Sequence, residues 1–155
     1  MSDVDDPTRF DPQRFFGAGR KLGHNHALGL AYRDHGLDWA ELTLPWRADL
    51  VGDRQANTLA SGAIITLMDM ASGLSIWTRL GHFRPVVTLD LRIDYLRAAR
   101  PKADIIGRVE CYRVAREVAF VRGVAHDGLE TDLVAHVAGS FMFTGPAMIG
   151  GLPNA

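Results

Sequence analysis

Residues 58–80 read TLASGAIITLMDMASGLSIWTRL, and this stretch decides the fold. It is long, lacks proline and is apolar on nearly every face, so it predicts a helix of about 22 residues and roughly 33 Å at 1.5 Å per residue. That length could also span a bilayer. Asp69 near its centre, with Thr58, Ser61, Thr66, Ser72, Ser75 and Thr78, dilutes the hydrophobicity. A helix apolar all round in a short chain is more simply one wrapped by the rest of the fold.

After His82 the period changes from helical to two. In PVVTLDLRIDYL (85–96), Val87, Leu89, Leu91, Ile93 and Tyr95 alternate with Thr88, Asp90, Arg92 and Asp94, the pattern of a half-buried strand. Three more strands are expected from ADIIGRVECYRV, REVAFVRGVAH and DLVAHVAGSFMFTG, the last nearly all apolar and central. Before the helix, ALGLAYRD and LDWAELTLPW read as a hairpin turning at His35-Gly36, and ADLVGDRQAN as a loop. The connections between the later strands are too short for crossover helices, so the sheet is antiparallel. The expected fold class is α+β: a curved antiparallel sheet of about six strands around one long helix. Residues 26–144 are expected to form one domain. Residues 1–25 read as a flexible lead-in with a short helix near Gln13, and 145–155 as a loose tail.

The chain has 155 residues, one domain's worth. Seventeen basic against 18 acidic residues give a net charge of −1, which argues against nucleic acid or an anionic membrane as partner. Fifteen of the basic residues are arginines, suited to fixed contacts with phosphate or carboxylate, although a general arginine bias would look the same. The one cysteine, Cys111, rules out an internal disulfide framework and a Cys-cluster zinc site, and fits a reducing, cytoplasmic compartment. It falls in an alternating run and reads as a small buried apolar residue. The acidic opening MSDVDDPTRFDPQRFF is not a signal peptide.

Asp69 is the most informative residue, the only charged side chain in the 24 positions between Arg54 and Arg79. A carboxylate in an apolar helix is costly unless paired or solvated. It is therefore salt-bridged or water-facing, or else a cleft reaches it and uses it. Ser61-Gly62-Ala63 lies near the helix start. First-turn amides have no intrahelical partner and suit a carbonyl oxygen gaining negative charge; a small-residue contact with the sheet is the plain alternative. His24 and His26 lack a third ligand nearby, so no metal site is assigned. His136 reads as a core histidine. There is no G-x-S-x-G elbow, Walker loop or G-x-G-x-x-G. Arg97, Arg100, Lys102, Arg113 and Arg116 cluster at strand ends, as a solvated surface or a site for a phosphate-bearing ligand.

The run NTLASGAIITLMDMASG (57–73), the strand VVTLDLRIDYLRAA (86–99), the REVAF segment and the final A-x-G-x-F resemble the hotdog-fold acyl-CoA thioesterases of the phenylacetate-pathway, PaaI-like type. The resemblance covers about 26–144. It implies a homodimer, or a tetramer built from it, with the active site between protomers. It implies an acyl-CoA substrate, with coenzyme A part of that substrate and no separate cofactor. The family's helical acid falls on Asp69 and its carbonyl-polarising glycine on Gly62, beside Ser61 and Ala63. A hydroxyl supplied by the partner protomer falls on Thr88, and a basic residue near the coenzyme A phosphates on Arg116, with Arg113 next to it. The family histidine falls on Ala60 and an upstream asparagine on Arg54; Asn57 is three residues away. These losses leave room for a catalytically weak acyl-CoA-binding protein. A hotdog hydratase or dehydratase is a further alternative. Trp77, Phe83 and Met68 are either acyl-pocket or core residues.

Overall fold

The structure, a computed structural model, describes residues 9–17 and 23–148. Two short helices, α1 (Pro12–Gly17) and α2 (His24–Ala27), precede the strands β1 (Ala31–His35) and β2 (Trp39–Leu44). A small hairpin, β3 (Val51–Asp53) and β4 (Thr58–Leu59), leads into α3 (Ser61–Leu80). Four strands follow: β5 (Val86–Tyr95), β6 (Ile105–Val114), β7 (Val118–His126) and β8 (Leu133–Phe143). The main sheet has six strands in the order β1-β2-β6-β7-β8-β5, every pair antiparallel. The expected α+β class and six-stranded antiparallel sheet are what the chain adopts.

Helix α3 touches β2, β5, β6 and β7, so the sheet wraps it. Leu67, Met68, Leu74 and Ile76 are fully buried from the helix, and Leu42, Leu44, Ile105, Val109 and Val121 from the sheet. Each such side chain stabilises the fold by about 1.5–3 kcal/mol. Gly107 of β6 permits the close approach: a methyl group there would stand 2.7 Å from Met68 Sδ and 3.1 Å from Leu67 Cγ. The buried hydroxyls of α3 turn back on its own carbonyls. Ser72 donates to Met68 O at 2.7 Å, Ser75 to Ser72 O and Thr78 to Ser75 O, both at 2.8 Å. Thus the polar residues that dilute the segment cost no unpaired group. Gly81, at φ 73°, ends the helix by donating to the Trp77 and Thr78 carbonyls. No described helix is long and apolar enough to cross a membrane.

Several expectations are corrected. The helix begins at Ser61, since Thr58 and Leu59 pair with β3. The stretch 48–57 is therefore not all loop: Asp53 Oδ1 accepts the Gln55 and Ala56 amides at 2.8 and 3.1 Å and turns a hairpin. The first strand starts at Ala31, because His24–Ala27 close a helical turn, with Leu28 N–H on His24 O at 3.0 Å. Part of the stretch read as a loose lead-in packs on the core. Phe10 and Phe15 are buried, with ring centroids 5.6 and 5.3 Å from Trp77, and the short helix near Gln13 is α1. Residues 1–8, 18–22 and 149–155 lie outside the described residues, and with them the rest of the lead-in and most of the tail. His136 is not a core histidine; it stands exposed on the outer face of β8, opposite Asp94.

The alternation of β5 breaks in the middle. Thr88 pairs with Phe141 and Asp90 with Ser140, leaving Leu89 as an unpaired bulge residue. The extra residue changes parity. Thr88 lies on the same inner face as Leu91, Ile93 and Tyr95, while Val87 and Leu89 are exposed.

Candidate active site

Helix α3 and strand β5 run antiparallel and are tied at two points. Near the middle of the helix Asp69, half-buried, accepts a hydrogen bond from Thr88 at 2.7 Å. At the helix start the Ser61 carbonyl accepts the Tyr95 hydroxyl at 3.1 Å. Burial raises the Tyr95 hydroxyl above its ordinary pKa, which keeps it a donor. The β5 bulge makes both contacts possible, since without the extra residue Thr88 and Tyr95 would face opposite sides of the sheet. The Thr88–Asp69 bond lies within one chain. The bond occupies Asp69 Oδ1 and leaves Oδ2 without a hydrogen-bond partner among the described residues.

Ala60 is extended (φ −64°, ψ 139°) and its side chain caps nothing; its carbonyl accepts Ala63 N–H at 3.1 Å. Ser61 and Gly62 are exposed and Ala63 is buried. The Gly62 amide has no acceptor among the described residues, and a methyl group on Gly62 would meet nothing within 4 Å. The space over this amide is open. Thr66 stands on the same helix face, between Gly62 and Asp69. Its hydroxyl donates to Gly62 O at 3.1 Å and lies 3.2 Å from His24 Nε2.

The remaining candidates lie farther off. Asn57 is a turn residue (φ 52°) whose carbonyl accepts Trp46 Nε1–H at 3.1 Å and Lys102 N–H at 3.2 Å. With Arg54 it sits on the β3–β4 turn, and neither is brought to Asp69. Arg116 occupies the β6–β7 turn, 96% exposed and 3.7 Å from Glu117. Val118 pairs with Met142 and Met142 with Val87, so this turn lies at the Thr88 end of the sheet, about two strand spacings or 10 Å across. Arg113 is exposed near the same turn. Arg97 and Arg100 are committed elsewhere. Arg97 holds the fully buried Asp127 carboxylate through two bonds of 2.7 Å, Arg100 reaches it at 3.2 Å, and both pair with Asp132 at 2.9 Å. The Arg97 hydrogen bond draws the Asp127 pKa down to about 2. Cys111 is buried, which pushes its thiol up to about 11, so it is the apolar residue expected. Met68 is core beneath Gly107, and Phe83 packs on Trp77 at 4.7 Å between centroids.

The thioesterase superfamily matches residues 56–132, a span that holds α3, β5 and both of their ties. A Pseudomonas aeruginosa protein of known structure is 39% identical, covering 85% of this chain and 96% of that one, with a TM-score of 0.73. The chain belongs to the thioesterase superfamily. A mutant of the phenylacetic acid degradation protein PaaI from Thermus thermophilus is 28% identical over 77% of this chain and 97% of that one, with a TM-score of 0.66. A thioesterase from Haemophilus influenzae, 17% identical, shares the fold at a TM-score of 0.77 over 89% of this chain and 94% of that one. No curated protein sequence matches. Within this thioesterase-superfamily chain, the structure adds Tyr95 at the helix start, and Thr66 with His24 on the helix face that carries Asp69. The spacing Gly62, Thr66, Asp69 (i, i+4, i+7) marks one helix face and could have placed Thr66 beside Asp69 from sequence. His24 comes from 42 residues away and carries no such signal.

Proposed function

We propose that the protein hydrolyses an acyl-CoA thioester to the free acid and coenzyme A, in a homodimer whose two sites each draw on both chains. The Thr88–Asp69 hydrogen bond carries this reading. It fixes one oxygen of a carboxylate in an apolar helix and leaves the other to act. Asp69 Oδ2 takes a proton from a water that attacks the carbonyl carbon, or attacks that carbon itself to form an anhydride that water then opens. In either route the C–S bond breaks and coenzyme A leaves as the thiolate. A Gly62 amide polarises the carbonyl oxygen.

The geometry favours an amide from the other chain. Helix amides point toward the N-terminus, and Asp69 lies seven residues in the opposite direction, about 10 Å along the axis. One carbonyl cannot sit on the outer side of Gly62 and within about 3–3.5 Å of a nucleophile held by the same chain's Asp69. Strand β5 supplies the solution. It is an edge strand of ten residues with Val87, Leu89 and Tyr95 exposed, the type of edge that pairs. Pairing two β5 strands antiparallel about a two-fold axis sets the Thr88 end of one against the Tyr95 end of the other. Because Thr88 is tied to Asp69 and Tyr95 to Ser61, Asp69 of one chain then faces Gly62 of its partner. Arg116, and Arg113 beside it, lie at the Thr88 end and serve the nucleotide phosphates. The substrate brings its own coenzyme A, so no other cofactor enters. The buried Cys111 thiol suits a reducing, cytoplasmic setting.

Ala60, with no polar side chain at the helix start, favours a second reading in which the site binds acyl-CoA and turns it over slowly. Thiol release from a panel of acyl-CoAs, comparing the wild type with Asp69→Asn, separates the two. Hydrolysis that falls about 10²–10⁴-fold in the folded variant supports the enzyme. Tight binding with no Asp69-dependent thiol release supports the binder. Monomers by light scattering at micromolar concentration would contradict the two-chain site.

A further inference from the structure

A cavity of about 290 Å³ lies between the N-terminal helices and the outer face of α3, with Phe15, Phe16, Leu30, Met70 and Trp77 as its apolar lining and His24, Asn25 and His26 as its polar lining. The cavity is half-open to solvent, and its volume is close to that of clefts that hold small ligands. We infer that it receives the acyl group of the substrate, and that its walls set an upper limit on acyl size. The inference rests on the proposed hydrolysis and adds to it the place and size class of the acyl group.

The cavity reaches α3 at Met70, the residue after Asp69. On α3, Thr66 precedes Asp69 by three residues and Met70 follows it, and residues three apart on a helix are surface neighbours about 5–6 Å apart. His24 of the cavity lining lies 3.2 Å from the Thr66 hydroxyl, and Asn25 Nδ2 lies 2.9 Å from Met70 Sδ. An acyl chain whose carbonyl carbon stands at Asp69 therefore passes Thr66 and His24 and enters between Met70 and Trp77. Strand β5 is on the other side of Asp69, where the partner's Gly62 and the coenzyme A arm would arrive. The two halves of the thioester thus leave Asp69 in opposite directions.

The lining fixes the chemistry. Two phenylalanines, a tryptophan, a leucine and a thioether offer contact to a hydrocarbon chain or ring, while His24, Asn25 and His26 make the rest of the lining polar. The volume fixes the size. An apolar void of roughly 150 Å³ holds one benzene molecule, so about twice that holds an uncharged acyl group of about ten carbons, straight or cyclic. Long-chain fatty acyl groups exceed it.

The test is kcat/KM by thiol release on acyl-CoAs from acetyl to palmitoyl, for the wild type, Phe16→Ala and Met70→Phe, with thermal unfolding of each. The wild type is expected to rise to a maximum at medium length and fall beyond it. A misplaced methylene in an apolar pocket changes specificity roughly 10–200-fold. Phe16→Ala should therefore move the maximum to longer chains and Met70→Phe to shorter ones, the preferred-to-unpreferred ratio changing at least about tenfold. The two variants act in opposite directions, so either one, if folded, decides. A wild-type profile flat through palmitoyl, or folded variants whose profiles match the wild type, would overturn the pocket while leaving the hydrolase reading intact. If the wild type cleaves no acyl-CoA at all, both fall.

Discussion

Gly62→Pro isolates the Gly62 amide. Proline removes the backbone N–H and takes away no side-chain contact. The amide has no acceptor among the described residues, and a Cβ at position 62 would meet no atom within 4 Å. The position is the second of the helix, in the first turn, where proline is tolerated because intrahelical bonding does not use that N–H. The residue before proline is pushed toward extended backbone, so the helix is expected to begin one residue later at a small cost in stability. The catalytic cost is larger. Loss of one donor to a developing oxyanion lowers kcat by about 10²–10³, or 2.7–4 kcal/mol of transition-state stabilisation. The assay is steady-state thiol release on the best acyl-CoA, beside Gly62→Ala, which keeps the amide and adds the same first carbon. The expected order is wild type, then alanine, then proline far below, with all three folded. A folded Gly62→Pro protein with wild-type kcat would refute the assignment.

Three further outcomes follow from the same geometry. Thr88→Val removes the donor to Asp69 Oδ1 at nearly constant shape; a hydrogen bond to a charged group is worth about 1.5–3 kcal/mol, so kcat should fall roughly ten- to a hundredfold while the variant, though less stable, stays folded at the assay temperature. The Asp127 carboxylate, held near pKa 2 against about 3.9 in an unfolded chain, contributes stability that is fully present above about pH 5 and is lost as pH falls through 4 toward 2. Asp127→Asn should lower stability at neutral pH by about 3–5 kcal/mol, because it breaks a buried pair, and should flatten the acid limb of a denaturation profile. Gly107→Ala drives a methyl group into Met68 and Leu67 and should cost about 1–3 kcal/mol in chemical denaturation, without the loss of kcat seen in the site variants.

The fold was legible where one physical signal dominated. The all-round apolar run of α3 and the period-two strands after it leave few ways to bury their faces, and the short connections select an antiparallel sheet. Boundaries failed where local hydrogen bonds compete with pattern. Asp53 folds a hairpin inside an expected loop, and His24–Ala27 close a turn that begins before an expected strand. The bulge at Leu89 was hidden because its sequence keeps a perfect alternation of apolar and polar residues. Only the pairing with β8 shows that parity changes there. That bulge also explains why Thr88 meets the Asp69 of its own chain. Asp69 stood out through its isolation in an apolar helix, and Gly62 through its place in the first turn. The N-terminal cover over α3 was not visible. Phe10 and Phe15 are scattered among acidic residues and prolines, and only the fold reveals that Trp77 awaits them.

The central claim is that one thioester site is shared between two chains, and a purified heterodimer tests it directly. Asp69→Asn and Gly62→Pro chains, carrying different tags and isolated together, each form inactive homodimers. If Asp69 of one chain works with Gly62 of the other, the heterodimer holds one intact site and one doubly damaged site, and should recover about half of the wild-type kcat per dimer. Activity no higher than that of the two parent homodimers would place both groups in one chain's site and contradict the account.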